Sequence, residues 1–367
     1  MLKGFKIRLL PTLEQEQKFY QIIGACRFIY NWGINQNKNS ESYLSGYTLQ
    51  KQLTQLKKQE DYIWLNNISA TTLQHTLQNL DKSYLRFFNK QNGYPKYKSR
   101  KKSKKSFYVR ADRLKFKFET VNIEKCGRVN FKSHYDVDFK YYHIYNSYII
   151  YDNKYWYLTF QIDICENQVN IPHNDLSIGI DLGLKDFAIC STGDIFHGIN
   201  KTFEIKKLEK RLKHLQRKVA KKYLRNGSYE KSNNIIKLEK QIALLYRKIH
   251  NKRLNYLYYV INEILKHNPS RIVIEDLNVS GMMKNRHLSK AVQNQMFYKF
   301  REILTYKCNW LAIDLVIADR FYPSSQLCSS CGHQQKMPIS VRTYRCPDCG
   351  LILDRDLNAA INLSKIG

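Results

Sequence analysis

The sequence predicts a multidomain α/β protein, in which a small N-terminal β-barrel with an inserted helical segment precedes an α/β domain. Three observations predict this fold class. Short segments near the N-terminus and between 106 and 166 alternate apolar with polar residues, as half-buried strands do. Helical periodicity dominates 12–105 and returns at 203–268. Four cysteines near the C-terminus form two closely spaced pairs, which is typical of a small metal-binding insertion.

The composition is that of a globular protein. The chain has 367 residues, enough for two or three domains, and 43% of them are hydrophobic. No apolar run approaches the ~18 residues that a transmembrane helix needs. No apolar segment of a signal peptide follows the basic start of the chain. We therefore expect a cytoplasmic protein with no membrane partner.

The charge balance points to a polyanionic partner. The chain has 61 Lys and Arg against 31 Asp and Glu, a net charge of +30. A field of this strength attracts nucleic acid and accelerates its association. A membrane surface is a weaker candidate, because the basic residues are spread along the chain rather than along one amphipathic helix. A generally adhesive basic surface is the alternative reading.

The first third of the chain predicts one strand and then a helical lobe. Residues 2–10 alternate basic and apolar side chains, and Pro11 ends that strand. Thr12 and Gln15 have the spacing of a capping box, so a helix begins there. The clearest helix covers 69–88, with apolar residues three and four positions apart. The helical lobe spans 11–105 and ends in a run at 98–105 with six basic residues in eight, a candidate phosphate contact or a solvated loop.

Five alternating segments then predict the rest of the barrel. They are 107–109, 114–118, 137–142, 148–151 and 156–162. With 2–10 they make a β-barrel domain of 1–10 and 106–166. Its many aromatic residues either stack on bases or form the barrel core. The polar segment 167–175 predicts a domain boundary.

The second half predicts an α/β domain. Residues 176–190 form two strands with a turn, and 203–268 form a helical hairpin inserted into the domain. A buried strand follows at 271–277, then a helix at 288–311 and a strand at 314–319. The cysteine block and a final helix complete the domain, whose two parts are 176–322 and 351–367.

The cysteine pairs predict a zinc site. Cys328, Cys331, Cys346 and Cys349 have the pattern C-x2-C-x14-C-x2-C, and each pair is followed by a glycine that permits a sharp turn. Four thiolates complete a tetrahedral zinc shell, so the role is structural rather than catalytic. Redox dithiol chemistry is the alternative. Arg342 and Arg345 lie in this insertion, 323–350, and are candidate phosphate contacts.

Two acidic residues stand in apolar strands. Asp181 is the single acidic residue of the apolar segment 176–184, where a charge costs free energy unless it is paired. A divalent metal or an ion pair with Lys185 would compensate it. Glu275 follows the apolar run 272–274, although strands commonly end in an acidic residue.

A third acidic residue, Asp356, opens the last helix. It is a metal-ligand candidate or an N-cap, and Asp354 competes with it for either role. Strand-Asp, strand-Glu and helix-Asp together match the way in which a ribonuclease-H-like fold assembles three carboxylates around two Mg²⁺ ions. Asp181, Glu275 and an aspartate at the start of the last helix, Asp356 or Asp354, are therefore the predicted catalytic and magnesium-binding residues.

These motifs in combination resemble the TnpB family, insertion-sequence proteins related to type V CRISPR effectors. The resembling segments are Gly179-Ile-Asp181-Leu-Gly183, Ile274-Glu275-Asp-Leu277, the two cysteine pairs with their glycines, and Asp354-Arg-Asp356-Leu-Asn358-Ala-Ala. They are similar to the RuvC-like and zinc-ribbon motifs of that family. The looser N-terminal segments Arg27-Phe-Ile-Tyr30-Asn31 and Gly93-Tyr-Pro-Lys-Tyr-Lys98 extend the resemblance over nearly the whole chain.

The resemblance implies an RNA-guided DNA endonuclease with a RuvC-like nuclease domain. It implies a wedge-like barrel, a recognition lobe over 11–105, a guide RNA from the transposon end and a double-stranded DNA target beside a short motif that the protein reads. It favours Asp356 over Asp354. Residues of the N-terminal motif become candidate nucleic-acid contacts, and Gln74 and Gln78 become candidate base readers, since Gln pairs with adenine through two hydrogen bonds. Those N-terminal candidates are Arg27, Tyr30 and Asn31. A guided repressor that does not cut, and a transposase, are the alternatives.

Overall fold

A computed structural model of the chain describes residues 2–163, 173–226, 231–338 and 340–366. These residues form two units that divide between Asn167 and Gln168. The division lies at the start of the polar segment predicted as a boundary at 167–175, most of which is outside the described residues. Within the described part of the chain, no helix is long and apolar enough to cross a bilayer.

The N-terminal unit is built on one antiparallel sheet. Its strands are β1 (Leu2–Leu10), β2 (Ser106–Tyr108), β3 (Lys115–Lys117), β4 (Thr120–Ile123), β5 (Gly127–Lys132), β6 (Ile144–Asp152) and β7 (Tyr155–Asp163). Their order is β2-β6-β7-β1-β5-β4-β3. The opening strand β1 lies between β7 and β5, so it joins the segment 106–166 as predicted.

The sheet curls strongly towards a barrel. Phe116 on β3 and Phe160 on β7 are four strands apart in the sheet order, yet their ring centroids are 5.4 Å apart. In a flat sheet they would be separated by roughly 19 Å, because neighbouring strands are about 4.8 Å apart. The two rings therefore meet across the interior, which is an aromatic core. This favours the core interpretation for a large share of the aromatic residues of 106–166.

The strand predicted at 137–142 is wrong. The structure has a short 3-10 turn there, Phe139–Tyr141. Phe139 is buried and its ring lies 5.3 Å from that of Phe5 and 4.9 Å from that of Phe160. Alternating apolar residues in this segment thus fill one end of the core without joining the hydrogen-bonded ladder.

Three α-helices and a 3-10 helix separate β1 from β2. They are α1 (Leu13–Lys38), α2 (Gly46–Leu56), the 3-10 helix Glu60–Asn67, and α3 (Ala70–Phe88). The capping box is confirmed, since the Thr12 side chain accepts from the Gln15 N–H at 3.3 Å and the Gln15 side chain accepts from the Thr12 N–H at 3.1 Å. The helix predicted at 69–88 is confirmed, and it buries Leu73, Leu77 and Leu80.

The C-terminal unit contains a five-stranded mixed sheet. Its strands are β8 (Asn174–Leu182), β9 (Asp186–Cys190), β10 (Ile195–His197), β11 (Pro269–Glu275) and β12 (Asp314–Ala318), in the order β10-β9-β8-β11-β12. The first three strands are antiparallel, and β11 and β12 run parallel to β8. A separate two-stranded sheet consists of β13 (Thr343–Arg345) and β14 (Ile352–Asp354).

The described part of this unit has six α-helices, of which α5 and α8 pack on one face of the sheet and α9 on the other. They are α4 (Phe203–Asn226), α5 (Asn233–Lys266), α6 (Val279–Lys284), α7 (Ser289–Gln295), α8 (Phe297–Leu311) and α9 (Arg355–Ser364). The pair α4 and α5 confirms the predicted hairpin at 203–268. The single helix predicted at 288–311 is divided into α7 and α8 at Met296, whose φ of 58° lies in the left-handed region.

Candidate active site and cysteine cluster

Alternation along β8 orients Asp181. The residues Ile178, Ile180 and Leu182 pack into the core that β8 forms with α5 and α8. Because successive side chains of a strand point to opposite faces, Gly179 and Asp181 lie on the other face. That face is covered by α9.

The neighbouring strand β11 has the same alternation. Ile272 and Ile274 face the core with α5 and α8, whereas Val273 packs against Leu363 of α9. Glu275, two residues after Val273, therefore belongs to the face of α9. Since Ile274 pairs with Ile180 in the parallel register of β11 and β8, Glu275 and Asp181 lie next to each other at the carboxyl ends of the two strands.

The close approach of α9 requires a glycine in β8. A Cβ placed on Gly179 would lie 2.0 Å from the carbonyl oxygen of Ala360 and 2.5 Å from the backbone nitrogen of Ser364. Ala360 follows Asp356 by four residues, about 6 Å along the helix, and Asp181 follows Gly179 by two residues, about 6.6 Å along the strand. The contact at Gly179 therefore places Asp356 near Asp181.

The two aspartates at the start of α9 have different roles. The carboxylate of Asp354 is the N-cap, because its Oδ1 accepts from the backbone N–H groups of Asp356 at 2.9 Å and Leu357 at 3.2 Å. Asp356 lies one residue inside the helix, and its side chain does not cap it. This leaves the Asp356 carboxylate available to face Asp181, as the sequence interpretation favours.

The three carboxylates interact electrostatically. Burial, followed by the nearby charges of Glu275 and Asp356, raises the pKa of Asp181 well above its ordinary value of 3.8. The Ser324 hydroxyl donates to Oε1 of Glu275 at 2.6 Å. Arg342 donates to Oδ2 of Asp356 at 3.2 Å, so this predicted phosphate contact lies beside the carboxylates. A site with this concentration of negative charge would be stabilised by a divalent cation.

The cysteine cluster has the geometry of a tetrahedral thiolate site. Cys328 and Cys349 have their Sγ atoms 3.6 Å apart, and those of Cys331 and Cys346 are 3.5 Å apart. Four sulfurs that bind one zinc at ~2.3 Å are roughly 3.8 Å apart. In the described ranges, these four cysteines are the only group of three or more His, Cys, Asp or Glu ligand atoms that all lie within 4.8 Å of one another.

Both cysteine pairs form the same turn. Gly332 and Gly350 have φ values of 79° and 74°, in the left-handed region that favours glycine. Their backbone N–H groups donate to the carbonyl oxygens of Cys328 at 3.0 Å and Cys346 at 3.2 Å. Burial raises the pKa of the Cys328 thiol, but the backbone N–H groups of Cys331 and Ser330 then lower it to about 6. The backbone N–H of His333 lowers the pKa of Cys331, but burial and hydrogen bonds with the other cysteines raise it to about 12. In the metal-free cluster, the Cys328 sulfur is therefore the one favoured as a thiolate, the form that binds a metal.

The small domain is attached to α9 by buried asparagines. The Asn358 side chain accepts from the Ser329 N–H at 2.9 Å and donates to the Leu327 carbonyl at 2.6 Å. Asn362 donates to the carbonyl oxygens of Leu327 and Ser324, each at 2.8 Å. The first cysteine turn and the helix that carries Asp356 are thus directly hydrogen-bonded. The small sheet extends to Asp354, beyond the predicted end of this insertion at 350.

The predicted nucleic-acid contacts are placed differently from one another. Tyr30 is 6% exposed, and Asn31 exchanges two hydrogen bonds with the backbone of Lys98, at 3.0 and 2.8 Å, so both have structural contacts. Gln78 is exposed and Gln74 is half-buried on α3. Arg345 is exposed on β13. Contact of these residues with nucleic acid stays a prediction.

Arg27 has basic surroundings. It lines a cavity of about 720 Å³ whose wall includes basic residues of 98–105. In the same wall the His75 ring stacks on that of Tyr108, with centroids 4.2 Å apart. The cavity supports a role in binding phosphate groups, which stays a prediction.

Some residues of the site were not identified from the sequence as functional. Ser324, Asn358 and Asn362 hold Glu275 and α9, and Gly179 admits α9 to the sheet. Asn358 and Gly179 belong to segments that carry the family resemblance, so that pattern is a signal for them. Ser324 and Asn362 have no comparable local signal.

Three family models match the chain. The model described as "Helix-turn-helix domain" matches 1–41, "Probable transposase" matches 160–286, and "Cas12f1-like, TNB domain" matches 297–363, which includes the cysteine cluster and Asp356. Together with the relatives below, these matches support the TnpB/IS605 family for this chain. Its C-terminal part therefore contains a TNB domain of the zinc-ribbon type.

Two relatives that match the chain over its full length have names that state an activity. A Streptomyces pristinaespiralis protein named "Putative RNA-guided DNA endonuclease" is 28% identical over 100% of the chain and 89% of its own length. The Escherichia coli K12 protein named "Putative RNA-guided DNA endonuclease InsQ" is 29% identical over 100% of the chain and 92% of its own length. Similarity therefore extends from the first strand to α9.

The fold is also that of a solved protein. A chain in the cryo-EM structure of the Cas12f1–sgRNA–target DNA complex superimposes with a TM-score of 0.53 at 13% identity, covering 99% of this chain and 98% of that chain. This likeness confirms a mixed α/β fold with several sheets.

Proposed function

We propose that this TnpB/IS605 protein is an RNA-guided DNA endonuclease that hydrolyses DNA phosphodiesters at Asp181, Glu275 and Asp356. The observation that carries the proposal is the convergence of these carboxylates. The register of β8 and β11 places Asp181 next to Glu275, and the contact of Gly179 with α9 brings Asp356 near them. Both full-length relatives carry names with this activity.

Magnesium is the proposed catalytic metal, bound by the same three carboxylates. Two Mg²⁺ ions, when bound, activate a water molecule and stabilise the leaving oxygen of a phosphodiester. The donor set fits, because carboxylate oxygens are the ligands that Mg²⁺ prefers. Ser324 orients Glu275, and Arg342 neutralises Asp356 beside the place where the phosphate of the substrate would lie.

Zinc is the proposed structural metal of the four cysteines. Their sulfur separations fit a tetrahedral shell, and four thiolates leave no position for a substrate. The proposed zinc fixes the two cysteine turns, and the hydrogen bonds of Asn358 and Asn362 transmit that order to α9.

The domain roles form part of the proposal. The sheet order β10-β9-β8-β11-β12, with three antiparallel and two parallel strands, supports a ribonuclease-H-like nuclease domain. The curled sheet supports a wedge-like barrel, and the helices between β1 and β2 support a recognition lobe. The proposed partners are a guide RNA from the transposon end and a double-stranded DNA target, and the net charge of +30 suits both.

The test has two parts, each with its own expected result. RNA that copurifies with the protein is sequenced, and we expect one discrete species that ends in variable sequence. Plasmids that match this variable end are then incubated with the complex and Mg²⁺, and we expect cleavage by the wild type and none by Asp181→Asn. Equal behaviour of the two proteins would contradict the nuclease assignment.

Two other functions are separated by the same experiment. A guided repressor would bind the matching plasmid without nicking it under any metal. The family description "Probable transposase" favours a second candidate, a protein that joins DNA strands with the same metal chemistry. Joined products from a donor end, formed without guide RNA, would favour the transposase.

A further inference from the structure

A small cavity opens next to Glu275 on the side of α8. It has a volume of about 210 Å³ and lies at the carboxyl ends of β8 and β11, with Leu182 and Glu275 in its wall. It is smaller than the pockets of roughly 300 Å³ or more that take drug-sized ligands. Its size suits one planar base or one phosphate group rather than a duplex.

The wall of this cavity contains two guanidinium groups. Asp276 pairs with Arg301 at 3.0 Å and also with Arg320. With Glu275 also in the wall, two carboxylates balance the two guanidinium groups, and the two arginines both lie on one carboxylate, Asp276. Each guanidinium has five N–H donors, and Asp276 can accept only some of them.

The cavity also has an exposed aromatic ring. Tyr298, in the first turn of α8, is 66% exposed and lies in the cavity wall. The neighbouring Phe297 is buried in the core, and this packing holds the first turn of α8, which carries Tyr298, in place. Base stacking on an aromatic side chain is tolerant of sequence, as a guided enzyme requires.

We propose that this cavity receives an unpaired base of the DNA strand that is cut, with Tyr298 stacked on the base and Arg301 and Arg320 beside its phosphate. This inference rests on the proposed function, because it takes Glu275 as part of the cleavage site. The shared wall at Glu275 favours the DNA strand over the guide RNA. The guanidinium groups of Arg301 and Arg320, which can bind phosphate oxygens, favour a nucleic-acid strand over a small apolar ligand.

The experiment uses the full chain with its copurifying RNA and a single-stranded DNA of about ten nucleotides, within the range of strand-binding sites. One 2-aminopurine is moved through the DNA, and Ca²⁺ replaces Mg²⁺. We expect its fluorescence to fall on binding at one position. Tyr298→Ala should abolish this quenching and weaken binding by about fivefold to about a hundredfold, whereas Tyr298→Phe should retain both. Arg320→Gln should weaken binding and reduce its salt dependence.

The matched control is Tyr259→Ala, at a tyrosine of α5 that is 54% exposed and does not line the cavity. It should quench like the wild type. Quenching unaffected by Tyr298→Ala would overturn the inference, as would tighter Tyr298-dependent binding of RNA than of DNA. The readout needs no cleavage. A wild type that cuts no DNA but shows Tyr298-dependent quenching overturns the proposed function and, with it, the assignment of the bound strand as the one that is cut. A wild type that cuts DNA but shows no Tyr298-dependent quenching overturns only this inference.

Discussion

The substitution Gly179→Ala tests whether the contact between β8 and α9 positions the site. The added Cβ would lie 2.0 Å from the Ala360 carbonyl oxygen, 2.5 Å from the Ser364 nitrogen and 2.9 Å from the Leu363 Cβ. Real Cβ atoms essentially never approach closer than 3.0 Å, and two of these contacts are backbone. The helix must therefore retreat by roughly 1 Å, an overpacking that costs about 1–3 kcal/mol.

That movement would carry Asp356 away from Asp181. Misplacing a catalytic group by about 1 Å can reduce the rate by about a hundredfold. We expect Gly179→Ala to retain its zinc, to unfold at lower urea and to cut DNA about a hundredfold more slowly. The assays are guided plasmid cleavage under single-turnover conditions and urea unfolding.

The matched control is Gly4→Ala. Gly4 is also a strand glycine, but a Cβ there would meet nothing within 4 Å. It should leave both the cleavage rate and the unfolding free energy near those of the wild type. If Gly179→Ala cut DNA at the wild-type rate, the reasoning that a direct backbone contact positions Asp356 would be wrong.

Three more predictions address the metals and the helix cap. Cys346→Ser should lose zinc and slow cleavage, whereas Ser330→Ala in the first cysteine turn should keep both; zinc content by atomic absorption checks this. Asp354→Ala should lower the free energy of unfolding by about 1 kcal/mol through loss of the cap but keep most of the cleavage activity. Asp356→Ala should lose the cleavage activity but keep most of the stability, and urea unfolding and plasmid cleavage check both variants. Because the folded-state pKa of Asp181 is raised, stability of the magnesium-free protein should fall as the pH rises from 3.8 through the raised value. The urea midpoint of Asp181→Asn should therefore be higher than that of the wild type at pH 7 and equal to it near pH 3. Equal midpoints at pH 7 would contradict the raised pKa of Asp181.

The features that follow from local spacing are predictable from the sequence. Two cysteines separated by two residues can share one ion from a tight turn, so the cluster is visible in the sequence. The helix 69–88 and the hairpin 203–268 follow from apolar periodicity over many residues. The capping box of Thr12 and Gln15 is a four-residue pattern.

The convergence of the carboxylates is not local. Asp181 and Glu275 are adjacent only because β8 and β11 pair in one register, and Asp356 joins them only because α9 packs on Gly179. Neither the register nor the packing can be read from periodicity, so the sequence motifs indicated this site only in combination. Residue types alone left Asp354 and Asp356 as alternatives, since both stand where an N-cap can occur. The family resemblance favoured Asp356, and the hydrogen bonds that make Asp354 the cap give the physical reason.

Tertiary packing also explains the errors. Residues 137–142 alternate like a strand, but Phe139 is held by Phe5 and Phe160, and the backbone turns there. The break between α7 and α8 falls at Met296, a residue type that rarely adopts positive φ and so gives no local signal.

The asparagine contacts between α9 and the first cysteine turn have a thermodynamic consequence. Asn358 and Asn362 belong to the same helix as Asp356, so one helix carries both the carboxylate and the contacts to the first cysteine turn. If zinc strengthens magnesium binding by ordering this helix, then magnesium must strengthen zinc retention by the same factor, because coupling between two sites is reciprocal. Resistance of the zinc to a chelator would then report whether the carboxylates hold their cation, without any DNA being cut.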